Sequence, residues 1–142
     1  MTIAFELNGQ HFVALNGGPG FPFTNAVSLV VTATRRRPFG TGAKLHGGSR
    51  RDSERDQGSR RTRLGNRELD YFWEKLAADG GEANVSGWLR DKFGMPWQIV
   101  PSQIWDWLNG DDPAKVKRVT SAVWQMEKLD LAELERAARR EG

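Results

Sequence analysis

The chain has no cysteine among its 142 residues, which excludes disulfides, thiolate catalysis and cysteine-ligated metal sites. It also lacks any apolar run near the roughly 20 residues that a membrane-spanning helix needs. Residues 2–7 alternate between apolar and polar like a strand, and they lack the basic and apolar regions of a signal peptide. We therefore expect a soluble, cytoplasmic protein that does not contact a membrane.

Tryptophan and glycine, by contrast, are abundant. Six tryptophans and 16 glycines occur in 142 residues, a length that suits one domain with a core of its own. Large aromatic side chains serve either as anchors in a core or as flat walls of a ligand pocket. Both roles are open for these tryptophans, and core packing is the commoner of the two.

Positive charge is concentrated in one segment, residues 34–67. This segment holds 11 of the 21 Lys and Arg residues but only 3 of the 18 Asp and Glu residues. It is rich in Arg, Gly and Ser and has almost no apolar periodicity. Burial therefore cannot offset its ordering entropy, and we predict a disordered insertion. Its arginines could contact phosphates, but without interleaved aromatic residues we predict only weak, nonspecific adhesion to nucleic acid.

The N-terminus carries a strong β-hairpin signal. Asn8-Gly9 is a favoured two-residue turn, because both central positions of that turn need positive φ. The turn sets a register that pairs Leu7 with Gln10 and Ile3 with Ala14. Side chains then alternate between the two faces of the hairpin. One face is predicted to be a core face, formed by Ile3, Phe5, Phe12 and Ala14.

Apolar runs and helical periodicity predict the remaining elements. Asn66 is a candidate N-cap for a helix that ends before Gly80. Asp112 precedes a proline at the first position of another helix. The predicted elements are a strand at 26–31, a helix at about 67–78, a short strand at 83–85, two strands flanking a turn at 91–94, and tail helices that begin near residues 103, 113 and 131.

Four segments together resemble one protein family. They are GWLRDKFG at 87–94, WQIVP at 97–101, DPAK at 112–115 and FELNGQ at 5–10. In these motifs the sequence is similar to the vicinal-oxygen-chelate (glyoxalase/bleomycin-resistance) superfamily, in the branch called 3-demethylubiquinone 3-methyltransferase-like.

The resemblance implies an α+β fold with two βαβββ modules that curl together around a pocket. Residues 1–33 would hold the closing hairpin of the first module and the first strand of the second. Residues 34–67 are the insertion, 68–101 complete the second module and 102–142 form a helical tail. The opening strand, helix and strand of the family's first module have no counterpart here. A second copy of the chain would then complete the pocket, because module exchange is a low-cost route to a homodimer.

The resemblance also implies positions for metal ligands. Enzymes of the superfamily hold a divalent metal with His and Glu side chains, and the metal polarises a substrate oxygen. By this likeness, Ala26 stands at the His place, Gln98 at a Glu place and Asn16 near the carboxylate place of the first module. We predict no metal site in the chain alone. A glycine-rich turn between a strand and a helix, which would hold a nucleotide-type methyl donor, is also missing, so no cofactor is expected.

We therefore predict a small-molecule-binding protein whose ligand is quinone-like or another planar molecule, since aromatic faces suit such ligands. Gln98 would orient a ligand oxygen. Whether the protein also catalyses a reaction stays open at this point. The alternative is a non-catalytic scaffold or fragment whose Arg-rich segment adheres to nucleic acid. The predicted pocket residues are Trp97, Gln98, Trp88, Asn16 and Ser28.

Overall fold

The computed structural model describes residues 2–7, 9–15, 17–20, 22–33 and 52–139, with side chains from residue 62 onward in the last range. Along the chain the helices and strands are β1 (Thr2–Leu7), β2 (Gln10–Leu15), β3 (Leu29–Ala33), α1 (Asp52–Ala77), β4 (Glu82–Ala83), β5 (Trp88–Arg90), β6 (Pro96–Pro101), α2 (Ile104–Leu108), α3 (Pro113–Gln125) and α4 (Leu131–Arg139).

The central unit is a four-stranded sheet with one helix against it. Its strands lie in the order β3-β6-β5-β4. Strand β3 runs parallel to β6, while β5 is antiparallel to both β4 and β6. With α1 between β3 and β4, the chain order is βαβββ. This confirms the α+β fold and the module that the resemblance implies.

The two faces of the sheet have different surroundings. Leu89 pairs with Trp97 across β5 and β6, and both pack with Leu69 of α1 in one core cluster. Successive strand residues point to opposite faces. Trp88 and Gln98, which also pair, therefore lie on the face away from α1. Leu69 and Leu89 are each only 1% exposed, so the α1 side is a closed core. The other side is partly open, because Trp88 and Gln98 are half-buried there.

The predicted start of the helix near residue 67 is wrong, because α1 begins at Asp52. Asn66, predicted to cap this helix, lies inside it and caps α4 instead. Its Oδ1 accepts a hydrogen bond from the Leu131 backbone N–H at 2.7 Å, and its Nδ2 donates to Asp130 Oδ2 at 3.0 Å. The capping role of Asn66 is thus determined by a contact with a distant segment of the chain. The remainder of the predicted insertion, residues 34–51, lies outside the described residues.

The N-terminal hairpin confirms its predicted register, with Leu7 opposite Gln10 and Ile3 opposite Ala14. The predicted burial of its core face is wrong. Ile3 is 51% exposed and Phe5 41% exposed, although the Phe5 and Phe12 rings stack at 5.6 Å between centroids. Among the described residues, β1 and β2 form a sheet of their own. The pairing of β1 with β2 depends only on the turn between them, whereas burial of one hairpin face requires another element to pack against it.

Two strand boundaries also differ from the prediction. The strand expected at 26–31 runs over Leu29–Ala33, and residues 25–27 form a turn and bend before it. The short strand expected at 83–85 covers Glu82–Ala83. Asn84 and Val85 instead lead into the tight segment before β5.

The helical tail closes the other end of the sheet. Asp112 caps α3 by accepting hydrogen bonds from the next two available backbone N–H groups, as its position before Pro113 predicts. Val100 of β6 packs in one buried cluster with Val119 and Leu134 from α3 and α4. In the part of the chain that the structure describes, no helix combines the length and apolar character needed to cross a membrane.

Candidate functional site

A cleft of about 520 Å³ opens beside strands β4 and β5 and the segment before β3. Its volume lies in the range of small-molecule sites, which is roughly 300–1,000 Å³. The wall combines one tryptophan with both charged and neutral polar side chains. The lining residues are Asn25, Ser28, Glu82, Ala83, Asn84, Trp88, Leu89, Arg90 and Pro96.

The backbone around Gly87 fixes the position of Trp88. Gly87 has a φ of +76°, a conformation that only glycine adopts readily. Its N–H donates to the Glu127 carbonyl at 2.8 Å, and its own carbonyl accepts from Ile99 N–H at 2.8 Å. The Trp88 carbonyl accepts from Asn84 N–H at 2.8 Å. These hydrogen bonds to Glu127, Ile99 and Asn84 fix the backbone at the start of β5, so the Trp88 indole projects from a rigid support.

Two side chains of opposite charge lie on neighbouring strands at the edge of the cleft, but they do not form an ion pair. Glu82 of β4 lies directly opposite Arg90 of β5 in the antiparallel register. The Arg90 guanidinium donates instead to a neutral group, through Nη2 to Asn25 Oδ1 at 2.8 Å. The ion pairs formed by the described residues involve neither Glu82 nor Arg90. Both charges thus remain accessible to a ligand.

The five predicted pocket residues fall in different places. Ser28 and Trp88 line the cleft. Gln98 lies beside Trp88 on the same face, and its Nε2 donates to the Ser86 carbonyl at 3.2 Å. Trp97 points to the opposite face and packs against the α1 core. Asn16 lies outside the described residues. Ligand binding by any of them stays a prediction.

The turn at 91–94 explains the position of Trp97. Asp91 Oδ1 accepts hydrogen bonds from the backbone N–H groups of Phe93 at 2.9 Å and Met95 at 3.0 Å. Its other oxygen accepts from Trp97 Nε1 at 2.9 Å. The Asp91 side chain therefore organises the turn, as its sequence position predicts, and it ties the Trp97 indole to that turn.

Sequence reasoning missed Arg90, Glu82 and Asn25 as cleft residues. One signal could have found Arg90, because it stands two positions after Trp88 on one strand and so shares its face. Asn25 comes from a segment distant in sequence, and Glu82 is placed by the pairing of a two-residue strand. Neither has a local pattern that would reveal its neighbours.

The residues at the family's metal-ligand positions do not fit a metal ion. Ala26 has no side-chain donor atom, and the Gln98 amide oxygen is neutral, which makes it a weaker metal ligand than the carboxylate it replaces. Within the described ranges, no group of three His, Asp or Glu side chains is placed to hold a metal ion. The carboxylate place near Asn16 lies outside those ranges. We therefore derive no metal-dependent step.

The sequence matches the model of one protein family. The model described as 3-demethylubiquinone-9 3-methyltransferase matches residues 1–40 and 62–100, which together exceed half of the chain. The chain belongs to this family. The matched ranges of the 3-demethylubiquinone-9 3-methyltransferase family include the N-terminal hairpin, β3, α1 from residue 62 onward, β4, β5 and β6 up to residue 100. They therefore include every residue that lines the cleft. No curated protein matches the sequence closely enough to count as a relative.

Proposed function

We propose that this protein binds a small planar organic molecule in the cleft on the open face of the sheet. The half-buried Trp88 indole carries the proposal, because it offers a flat apolar surface inside a cleft that several polar side chains also line. Such a combination of one aromatic surface with a few convergent polar groups is typical of small-molecule sites. The ligand plane would lie against Trp88, and the polar rim would fix its orientation.

Gln98 would contribute a hydrogen-bond acceptor beside this surface. Its amide nitrogen uses one of its two N–H groups to donate to the Ser86 carbonyl, so the oxygen and the second N–H remain for a ligand. An amide oxygen only accepts hydrogen bonds. Through this oxygen we expect Gln98 to orient a ligand hydroxyl or N–H group.

The proposal is for binding and does not include methyl transfer. The name of the family describes methyl transfer to a demethylated ubiquinone, which requires a methyl donor beside the acceptor. The glycines at 17, 18 and 20 precede strand β3 and not a helix. Helix N-termini are what make glycine-rich loops suitable for phosphate-bearing cofactors.

Replacing Trp88 by alanine tests the binding proposal. Planar fragments that bind the wild-type chain should lose affinity by about tenfold or more, equal to about 1.4 kcal/mol, because the variant removes the aromatic surface they contact. Isothermal titration calorimetry gives the affinities. Trp124→Ala is the matched control, since this tryptophan is 72% exposed and lies outside the cleft lining. Equal affinities for both variants would contradict the proposal.

We also propose that a second copy of the chain covers the N-terminal hairpin and helps to close the cleft. A two-stranded hairpin alone is marginally stable in water. Here Ile3 and Phe5 on one face are exposed, so the described residues do not supply the apolar partner surface that would stabilise the hairpin. A twofold-related copy would supply such a surface to both hairpins at once.

Phe5→Asp should therefore convert a dimer into a monomer, because the carboxylate would be buried without a partner. Multi-angle light scattering after size exclusion measures the mass. Val13→Asp is the control, as Val13 is 67% exposed and lies on the opposite face of the hairpin, paired with Ala4. A wild-type chain that is monomeric at all concentrations, or a dimer unaffected by Phe5→Asp, would argue against the shared interface.

Adhesion to nucleic acid through the Arg-rich segment remains the alternative prediction. Most of that segment lies outside the described residues or has no described side chains. Its described arginines, Arg63 and Arg67, are exposed one turn apart on α1. Two exposed arginines fit a solvated helix surface equally well, so the cleft remains the better-supported site.

A further inference from the structure

We propose that the cleft selects a planar monoanion, a carboxylate on an aromatic or unsaturated framework, through Arg90. This inference rests on the proposed function and names its ligand class. Three cleft residues carry it: Arg90 supplies the charge, Trp88 the flat surface, and Glu82 the discrimination against a second negative charge.

Arg90 has the free capacity that anion binding needs. A guanidinium has five N–H donors in a planar fork that matches a carboxylate. One nitrogen of Arg90 donates to Asn25 Oδ1 at 2.8 Å, and this partner is neutral. The bond therefore holds the guanidinium in place without cancelling its charge. Asn25 acts as a positioning residue, and it brings the segment before β3 against the end of β5.

Trp88 and Arg90 are arranged to bind two parts of one molecule. They stand two positions apart on β5 and share a face of the sheet, so their Cα atoms are separated by about 7 Å. A carboxylate held by Arg90 would place an attached ring over or beside the indole. A flexible aliphatic acid would gain the charge contact but would lose more conformational entropy on binding.

Glu82 limits the charge of the ligand. Its position opposite Arg90 places the two Cβ atoms about 5 Å apart. One carboxylate can bind Arg90 while its apolar body extends along Trp88. A second carboxylate in the cleft would meet the negative charge of Glu82. Glu82 is exposed, so water and salt weaken this repulsion, and it is expected to act most strongly at low ionic strength. The expected preference is for monoanions over dianions.

Three probes of similar shape test this inference: benzoate, its neutral amide benzamide, and the dianion terephthalate. Each is titrated into the ¹⁵N-labelled chain while the Trp88 indole N–H signal is followed by NMR. We expect benzoate to bind at least about fivefold more tightly than benzamide, and terephthalate more weakly than benzoate. The Trp88 signal is assigned from its loss in Trp88→Phe.

Substitutions at Arg90 and Glu82 separate the contribution of ligand charge to affinity from the contribution of ligand shape. Arg90→Gln should weaken benzoate by about tenfold while leaving benzamide unchanged, and Arg90→Lys should fall between, because it keeps the charge but not the fork. Glu82→Gln should strengthen terephthalate by a larger factor than benzoate. Lys92→Gln is the matched control, since it removes one positive charge outside the cleft lining.

The outcomes distinguish this inference from the proposed function. If benzamide and benzoate bind equally and Arg90→Gln changes neither, the cleft binds planar molecules without charge recognition, and the monoanion inference is overturned. The same holds if only fragments without a carboxylate shift the Trp88 signal. If no planar molecule of any charge affects Trp88, both the inference and the proposed function are wrong.

Discussion

Gly87→Ala is expected to lower the free energy of unfolding by at least about 2 kcal/mol. Gly87 has a φ of +76°, which strains any residue with a Cβ atom. A Cβ there would also lie 2.7 Å from the Ile99 carbonyl oxygen and 3.1 Å from Leu129 Cγ. Neither neighbour can move freely, because one is strand backbone and the other is 1% exposed. Urea denaturation followed by circular dichroism measures the loss.

Gly94→Ala provides the control for this result. Gly94 has a similar φ of +84°, but a Cβ there would meet nothing within 4 Å. Its substitution should cost about 1 kcal/mol, the penalty of left-handed backbone alone. The difference between the two variants then reports the crowding at Gly87. Equal losses would mean that the segment before Trp88 is not packed against β6 and Leu129.

Leu131→Ala is expected to cost about 2–5 kcal/mol, the usual range for removing a buried leucine side chain. Leu131 is 1% exposed and begins α4, where it packs with Leu69 of α1 in the core. The Asn66 side chain caps the same residue's backbone N–H. Loss of the Leu131 side chain should therefore weaken the packing between α1 and α4, which a lower denaturation midpoint would show.

Gly65→Ala, made in the wild-type chain and in the Leu131→Ala variant, tests whether this loss of stability comes from the contact between α1 and α4. A Cβ at Gly65 would lie 2.5 Å from Leu131 Cδ2, so Gly65→Ala should destabilise the wild-type chain. In the Leu131→Ala background the obstruction is gone, and the higher helix propensity of alanine should stabilise by about 1 kcal/mol. A change of sign between the two backgrounds is the predicted signature. Additive effects would show that α1 does not approach α4 at this point.

Local chemistry explains which parts of the fold the sequence predicts. The hairpin register follows from Asn8-Gly9, and the start of α3 follows from Asp112 before Pro113. The turn before β6 follows from the carboxylate of Asp91, which satisfies two nearby backbone N–H groups. In each case the residues that determine the conformation lie within a few positions of one another.

The features that the sequence did not predict depend on contacts between distant segments. Asn66 has the side chain of an N-cap, but the helix it caps begins 65 positions later. The Phe5 side chain looks like a core residue, yet no described element covers it. For the candidate site, Trp88 and Ser28 were predicted and do line the cleft. The place of Arg90 on the same face as Trp88 could have been predicted from their spacing, but its hydrogen bond to Asn25, 65 positions away in sequence, could not.

A fragment screen that maps amide and indole shifts by NMR tests the proposed cleft most directly. Planar fragments should shift the Trp88 indole N–H together with the backbone amides of β4 and β5, while the Trp124 indole signal stays in place. Such a pattern would locate binding at the open face of the sheet. Shifts confined to α3 and the tail, or no shifts for any planar fragment at millimolar concentration, would contradict the binding function proposed for this protein.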